Sequence, residues 1–129
     1  MDTVNFKKEI RANVEDAVIK VTQALQKEGF GILTRIDFHL KIKEKLNKDI
    51  APVVVLGACN PKLALEVYSQ STDFASLLPC NAVVRDIGNG KMSVEIAKPS
   101  AVMKILGNAQ MSALAKEVDQ MLERALQAI

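Results

Sequence analysis

The amino-acid sequence predicts a single α+β domain of two layers, in which helices pack on a mainly antiparallel or mixed sheet. The 129 residues suffice for one core, so we expect residues 1–129 to form one domain. Alternating and helical apolar patterns follow one another in the order β-α-β-α-β-α-β-β-α-α. Two successive strands joined by a short turn argue against a doubly wound parallel sheet.

The first half of the chain carries two strand patterns and two helix patterns. In the segment 4–10, apolar residues stand at the even positions 4, 6 and 10, and this alternation indicates a short strand. Asn13 can cap a helix whose apolar residues recur every three or four positions, and Gly29 stands where that helix ends. Alternation over 32–38 predicts a second strand, which runs into a short helix around 40–47.

In the middle of the chain, prolines and apolar runs indicate one strand and two helical segments. Pro52 precedes Val53-Val54-Val55-Leu56, and this unbroken apolar run indicates a strand that is buried on both faces or central in its sheet. A short helix should follow Pro61, and one helical turn should span 73–77.

The last third of the chain predicts a hairpin and two helices. Gly88-Asn89-Gly90 is a hairpin signal between two strands. Ser100 can cap a short helix ending at Gly107, and Asn108 can cap a final helix that reaches Ile129. That helix is about 32 Å long at 1.5 Å per residue, so it either covers its own sheet or contacts a second subunit.

Composition excludes several classes of function. The net charge is only +2, whereas a nucleic-acid binder usually shows a stronger basic bias, so we expect no nucleic acid as a partner. No stretch of 18 apolar residues occurs and the N-terminus lacks an apolar signal segment, which predicts a cytoplasmic protein without a membrane partner. Lys41, Lys45 and Lys48 share a helix face that is either solvated or meets an acidic partner.

The stretch Leu56-Gly57-Ala58-Cys59-Asn60-Pro61-Lys62 carries the main candidate for chemistry. Asn60 is placed to cap a helix with Pro61 at its first position, so Cys59 should lie just before a helix N-terminus. The positive end of a helix favours a thiolate over a thiol, and it equally favours a bound anion. Lys62 adds a positive charge beside both.

The second cysteine, Cys80, is also followed by an asparagine, Asn81. We expect Cys59, Asn60, Cys80 and Asn81 to meet at one end of the sheet and to line a small polar pocket, unless the cysteines are inert packing residues. Two cysteines 21 residues apart without a CxxC spacing do not predict a closed zinc site within one chain.

Two further polar residues are candidates for the site. Asp37 stands between apolar residues and is either an outward-facing strand residue or a member of the site. His39, the only histidine, could act as a base for a cysteine nucleophile, but we expect a solvated histidine at a strand end.

Four short sequence motifs together resemble those of a known family. They are Gly29-Phe30-Gly31-Ile32-Leu33, Ile36-Asp37, Gly57-Ala58-Cys59-Asn60-Pro61-Lys62-Leu63-Ala64 and Leu78-Pro79-Cys80-Asn81-Ala82-Val83-Val84. In this order and spacing, within residues 13–99, the chain resembles the family catalogued as domain of unknown function number 302.

The resemblance implies a compact domain similar to one half of the TATA-binding-protein fold, which pairs as a homodimer. The family pattern includes both cysteines, Asn60, Pro61, Pro79 and Asp37. It implies no agreed activity and no particular cofactor.

Three hypotheses follow from these residues. The first is a non-enzymatic homodimer that binds a small molecule or anion near Cys59 and Cys80. The second is a thiol protein, in which Cys59 is a low-pKa nucleophile and Cys80 its resolving partner, or in which both hold a soft metal. The third is a purely structural or regulatory dimer.

Overall fold

The computed structural model describes residues 4–104 and 109–129, and its elements confirm the predicted order. The predicted helix end at Gly107 and the predicted cap Asn108 lie outside the described residues. The elements are β1 (Asn5–Arg11), α1 (Val14–Lys27), β2 (Gly31–Asp37), α2 (Phe38–Leu46), β3 (Val53–Cys59), α3 (Pro61–Gln70), a 3₁₀ helix (Thr72–Leu77), β4 (Cys80–Gly88), β5 (Lys91–Ala97), α4 (Pro99–Met103) and α5 (Ala109–Gln127).

The five strands form one sheet in the order β1-β5-β4-β3-β2, and every neighbouring pair is antiparallel. The predicted α+β class is therefore confirmed in its antiparallel form. β3 lies between β2 and β4, where Val54 and Leu56 are buried while Val53 and Val55 remain half-exposed. The apolar run thus marks an interior strand, and within one chain only one of its faces is fully buried.

Helices α1 and α5 cover one face of the sheet and form the main core with it. Val21 and Leu25 of α1 and Leu122 of α5 are completely buried against Val94 of β5 and its neighbours. The apolar stripe of α5 therefore packs on the sheet of its own chain. Within the described residues, no helix is long and apolar enough to cross a membrane.

Local signals set both ends of α1, as predicted. The side chain of Asn13 accepts a hydrogen bond from the backbone N–H of Asp16 at 2.8 Å. Gly29 has a φ of +85°, and the N–H groups after the helix end return to the carbonyls of Leu25 and Gln26. This glycine-terminated cap turns the chain sharply and places Phe30, which is buried, just before β2.

The start of α4 differs from the prediction. Pro99 is the first helical residue and Lys98 occupies the cap position, so the expectation that Ser100 caps this helix is wrong. A proline suits the first helical position because its missing N–H has no intrahelical partner there anyway. The backbone N–H of Ser100 instead donates to the side chain of Asp119 on α5 at 3.1 Å, which ties the two helices together.

The other face of the sheet is open. Cross-strand pairing aligns Ile36 of β2, Val55 of β3 and Val83 of β4 in one row on this face. Val55 and Val83 are half-exposed and Ile36 is 47% exposed. The neighbouring α2 has no buried residue among its nine, and its Leu46 is 60% exposed. One chain therefore leaves an apolar surface in contact with water.

We expect Gly57→Ala to lower the free energy of unfolding by roughly 1–3 kcal/mol, because it overpacks β3. A Cβ at Gly57 would collide with Oγ1 of Thr34 and lie 2.6 Å from Cγ of Pro79. Gly31→Ala is the matched control in a neighbouring strand, where a Cβ meets no described atom within 4 Å. Chemical denaturation of both variants measures the difference, and equal stabilities would contradict this account of β3.

Candidate functional site

The candidate site begins where β3 leaves the sheet and α3 starts. Asn60 caps α3, since its side-chain oxygen accepts from the N–H of Leu63 at 3.3 Å, and Pro61 is the first helical residue, as predicted. The amide of Asn60 also lies against Gly29, where a Cβ would come within 2.9 Å of Nδ2. The end of α1 and the start of α3 are thereby packed together.

Antiparallel pairing brings the two cysteines to the same end of the sheet. Ala58 of β3 pairs with Cys80 of β4, and Cys59 is the next residue along β3. From ordinary strand spacing, the Cα atoms of the two cysteines are about 6 Å apart. Because Ala58 rather than Cys59 is the direct partner of Cys80, the two cysteine side chains leave opposite faces of the sheet. Both are half-buried free thiols.

Both thiols line one crevice between the sheet end and the helices α3 and α4. Its cavity volume is about 30 Å³, and almost all of its surface is apolar. The described lining residues include Phe30, Leu63, Val67, Phe74, Leu78 and Met103. The predicted pocket exists in position, but the expectation that it is polar is wrong, because large apolar side chains from the helices close over the sheet end.

Among the predicted asparagines, Asn60 lines the crevice and Asn81 does not. Asn81 is exposed on β4, where it pairs with Gly57 rather than with the crevice residues. Lys62 is exposed on the first turn of α3 and is not among the described lining residues either. The crevice therefore combines Cys59, Asn60 and Cys80 from the sequence-predicted set.

Asp37 lies in a different part of the molecule. It is the last residue of β2, and its carboxylate forms an ion pair with Arg35 at 3.0 Å. Arg35 also pairs with Glu15 of α1 at 2.6 Å, and this hydrogen-bonded arginine lowers the pKa of Glu15. The cluster is a surface link between β2 and α1, which is separate from the crevice.

His39 also differs from the expectation of a solvated histidine at a strand end. It is half-buried in the first turn of α2, and its Nδ1 accepts a hydrogen bond from the backbone N–H of Val53 at 3.1 Å. Val53 begins β3, whereas Cys59 ends it six residues later, about 20 Å away at ordinary strand rise. The histidine holds α2 to the sheet and is not paired with Cys59.

The thiols are shifted away from the thiolate form. Burial raises the pKa of Cys59. Burial, together with the nearby charge of Cys59, raises the pKa of Cys80 to about 11. This direction is opposite to the low pKa expected for Cys59, because burial disfavours a charged sulfur.

Sequence reasoning did not find Met103, which brings a third sulfur to the crevice. Met103 lies on α4, only 6% exposed, more than 20 residues from either cysteine along the chain. Its short helix carries no periodic pattern that assigns one of its residues to the sheet end.

The structure thus defines an α+β domain with an antiparallel sheet, helices on one face and a thiol-lined apolar crevice at one end. The model of the family described as domain of unknown function DUF302 matches residues 6–129. The chain belongs to the DUF302 family, and the resemblance of its sequence motifs to that family is confirmed.

One solved structure shows the same fold. The crystal structure of the uncharacterized conserved protein DUF302 from Bacillus stearothermophilus is 23% identical in sequence, has a TM-score of 0.91 and covers 98% of each chain. At this identity the likeness concerns the fold alone. A comparison with curated proteins finds no match.

We expect both thiols to react slowly with iodoacetamide at neutral pH, because their raised pKa values leave little thiolate. The alkylation rate of Cys80, measured in Cys59→Ser, should still be rising at pH 10. Cys59, measured in Cys80→Ser, should also reach half of its maximal rate above the ordinary thiol value of about 8.5. Circular dichroism at each pH checks that the fold persists, and a half-maximum below that value for either thiol would contradict the effect of burial.

Proposed function

We propose that this protein is a homodimeric, non-enzymatic binding module whose ligand site is the crevice beside Cys59 and Cys80. One observation carries the proposal: two reduced, half-buried thiols on neighbouring strands line a single apolar crevice at a capped helix start. We retain a cytoplasmic location as a prediction.

The lining supports binding rather than catalysis. The described residues around the crevice include Cys59, Cys80 and the amide of Asn60, but no carboxylate, imidazole or ammonium group. General acid–base catalysis needs such a group within hydrogen-bond reach of the substrate. The raised thiol pKa values also argue against nucleophilic catalysis by either sulfur.

The same lining favours a small neutral ligand over the small anion of the first hypothesis. The N–H of Leu63 in the first turn of α3 already donates to the side chain of Asn60. Lys62, the charge expected to assist an anion, is exposed to solvent. Large apolar side chains such as Phe30 and Phe74 instead offer contact to an uncharged molecule.

The open face of the sheet supports the homodimer. The run Val53–Leu56 has the sequence of a strand buried on both faces, yet one chain buries only alternate residues of it. A second copy placed over the row of Ile36, Val55 and Val83 would bury the remaining ones. Because α5 already packs on its own sheet, this face rather than α5 is our choice for the contact between subunits.

A redox pair is the second candidate function. The short backbone distance between Cys59 and Cys80 on adjacent strands supports it, whereas the opposite directions of their side chains mean that a disulfide needs backbone movement. The raised thiol pKa values weigh against rapid exchange. A structural or regulatory dimer is the remaining alternative.

The crevice is tested by filling it. Ala64 lines the crevice, so we expect Ala64→Leu to occupy its space and to abolish ligand binding. Ala113→Leu, on the exposed face of α5, is the matched control. Thermal-shift assays with small neutral compounds and small anions, with native mass spectra of gently purified protein, should show a ligand for wild type and Ala113→Leu but not for Ala64→Leu.

Two results would contradict the binding proposal. If a ligand binds Ala64→Leu as tightly as it binds the wild type, its binding site is not this crevice. If no compound stabilises the wild type and no adduct appears in its mass spectrum, the structural dimer becomes the better description.

The dimer is tested by placing one charge on the open face, at Ile36, and one on the exposed helix α2, at Leu46. We expect Ile36→Glu and Leu46→Glu to give monomers in light scattering coupled to size-exclusion chromatography, because a buried unpaired carboxylate opposes association. Leu65→Glu is the matched control, since Leu65 is an equally exposed leucine on α3, 65% accessible. A wild-type monomer, or dimers in all three variants, would show that this face is not the interface.

A further inference from the structure

The lining of the crevice has a buried inner part and a half-buried rim. The rim includes Cys59, Asn60 and Leu63, which are half-buried. The inner part consists of side chains that are at most 6% exposed and contain no nitrogen or oxygen, among them Phe30, Val67, Phe74 and Met103. A molecule that enters past the rim therefore meets an almost entirely apolar surface.

The described lining residues also carry no charge at neutral pH. They include no acidic or basic side chain, and burial raises the pKa of both Cys59 and Cys80, which keeps these thiols protonated. A charged group inside the crevice would lose its hydration without gaining a partner. The part of a ligand that enters must therefore be uncharged and apolar.

The size of the cavity limits the ligand further. A cavity needs about 10–15 Å³ to hold one water molecule, and a methyl or methylene group is of similar size. The cavity volume of about 30 Å³ is therefore room for roughly two or three carbon atoms. A benzene ring occupies an engineered cavity of about 150 Å³, so an aromatic ring does not fit here.

We propose that the crevice binds the end of a short, unbranched aliphatic chain that belongs to an uncharged molecule. The chain end enters the inner part between Phe30, Val67 and Met103, while the polar group of the ligand stays in water at the rim. The inference rests on the proposed function, because it names the class of ligand for the same crevice.

The same size argument separates straight chains from branched ones. Each methylene of a straight chain that enters the inner part adds apolar contact, which is worth roughly a fourfold gain in affinity. Carbon atoms beyond the third remain at the rim and add little. A tert-butyl group, in contrast, brings four carbon atoms to one point and exceeds the space available.

The test is a titration of the nitrogen-15-labelled wild-type protein with straight-chain primary alcohols, from methanol to 1-hexanol. Shifts of the backbone amide signals of the lining residues measure each dissociation constant. We expect affinity to rise roughly fourfold per carbon atom in the short alcohols and to level off near 1-butanol. tert-Butanol is the matched control ligand, because it is an isomer of 1-butanol, and we expect it to bind roughly tenfold more weakly.

A variant that enlarges the crevice moves this limit. Val67→Ala removes two methyl groups from the inner part, so we expect the affinity to level off at an alcohol one or two carbon atoms longer. Val21→Ala is the matched control, because it is the same substitution at an equally buried residue of the main core that is not among the described lining residues. The amide spectra also show whether each variant is folded, and the comparison of alcohols on the wild type needs no variant.

Three results would overturn the inference. They are equal affinities of tert-butanol and 1-butanol, a steady rise in affinity through 1-hexanol, or the same limit in Val67→Ala as in Val21→Ala. If no alcohol binds while a larger neutral compound stabilises the wild type but not Ala64→Leu, the crevice keeps its binding function and only the aliphatic-chain assignment falls. If the alcohols and all other compounds fail together, both proposals fall.

Discussion

The antiparallel pairing of β3 with β4 is the constraint on which the rest of this structure depends. It aligns Ala58 with Cys80 and so brings together two cysteines that are 21 positions apart in the chain. It also brings Gly57 under Pro79, at a separation that leaves no room for a Cβ. The crevice exists because the strands end together while the chain continues into α3 on one side and arrives from the 3₁₀ helix on the other.

The sheet carries apolar residues on both faces but is covered by its own helices on only one. Packing against α1 and α5 stabilises the covered face, and it buries every second residue of the interior strands. On the open face, apolar residues of β2, β3 and β4 adjoin a polar group shared by β4 and β5. Arg85 of β4 pairs with Glu95 of β5 at 2.9 Å, and Ser93 of β5 donates to the same carboxylate. These hydrogen bonds lower the pKa of Glu95 against the effect of its burial. The open face therefore combines an apolar area on β2, β3 and β4 with a neighbouring charged pair.

Local features of the site could be predicted from the sequence, and features set by packing could not. The cap at Asn60, the proline at position 61 and the hairpin around Asn89 each depend on a few adjacent residues, and each has the predicted conformation. The apolar character of the crevice depends on residues from five elements, which are β3, α3, the 3₁₀ helix, α4 and α5. The helix-end rule pointed to a thiolate at Cys59, but this residue precedes the cap and is half-buried, so the loss of hydration has the larger effect on its pKa. The contribution of Met103 needs the three-dimensional structure, because α4 reaches the sheet end only through the tertiary fold.

Gly29 does more than end α1, because it also leaves space for the side chain of Asn60. Its positive φ alone would admit asparagine at a modest cost, since asparagine tolerates the left-handed region. The amide of Asn60, however, occupies the space that any side chain at position 29 would need. Position 29 is therefore restricted twice, once by its own backbone and once by a residue 31 positions later. A side chain at position 29 would therefore displace Asn60, which both caps α3 and lines the crevice.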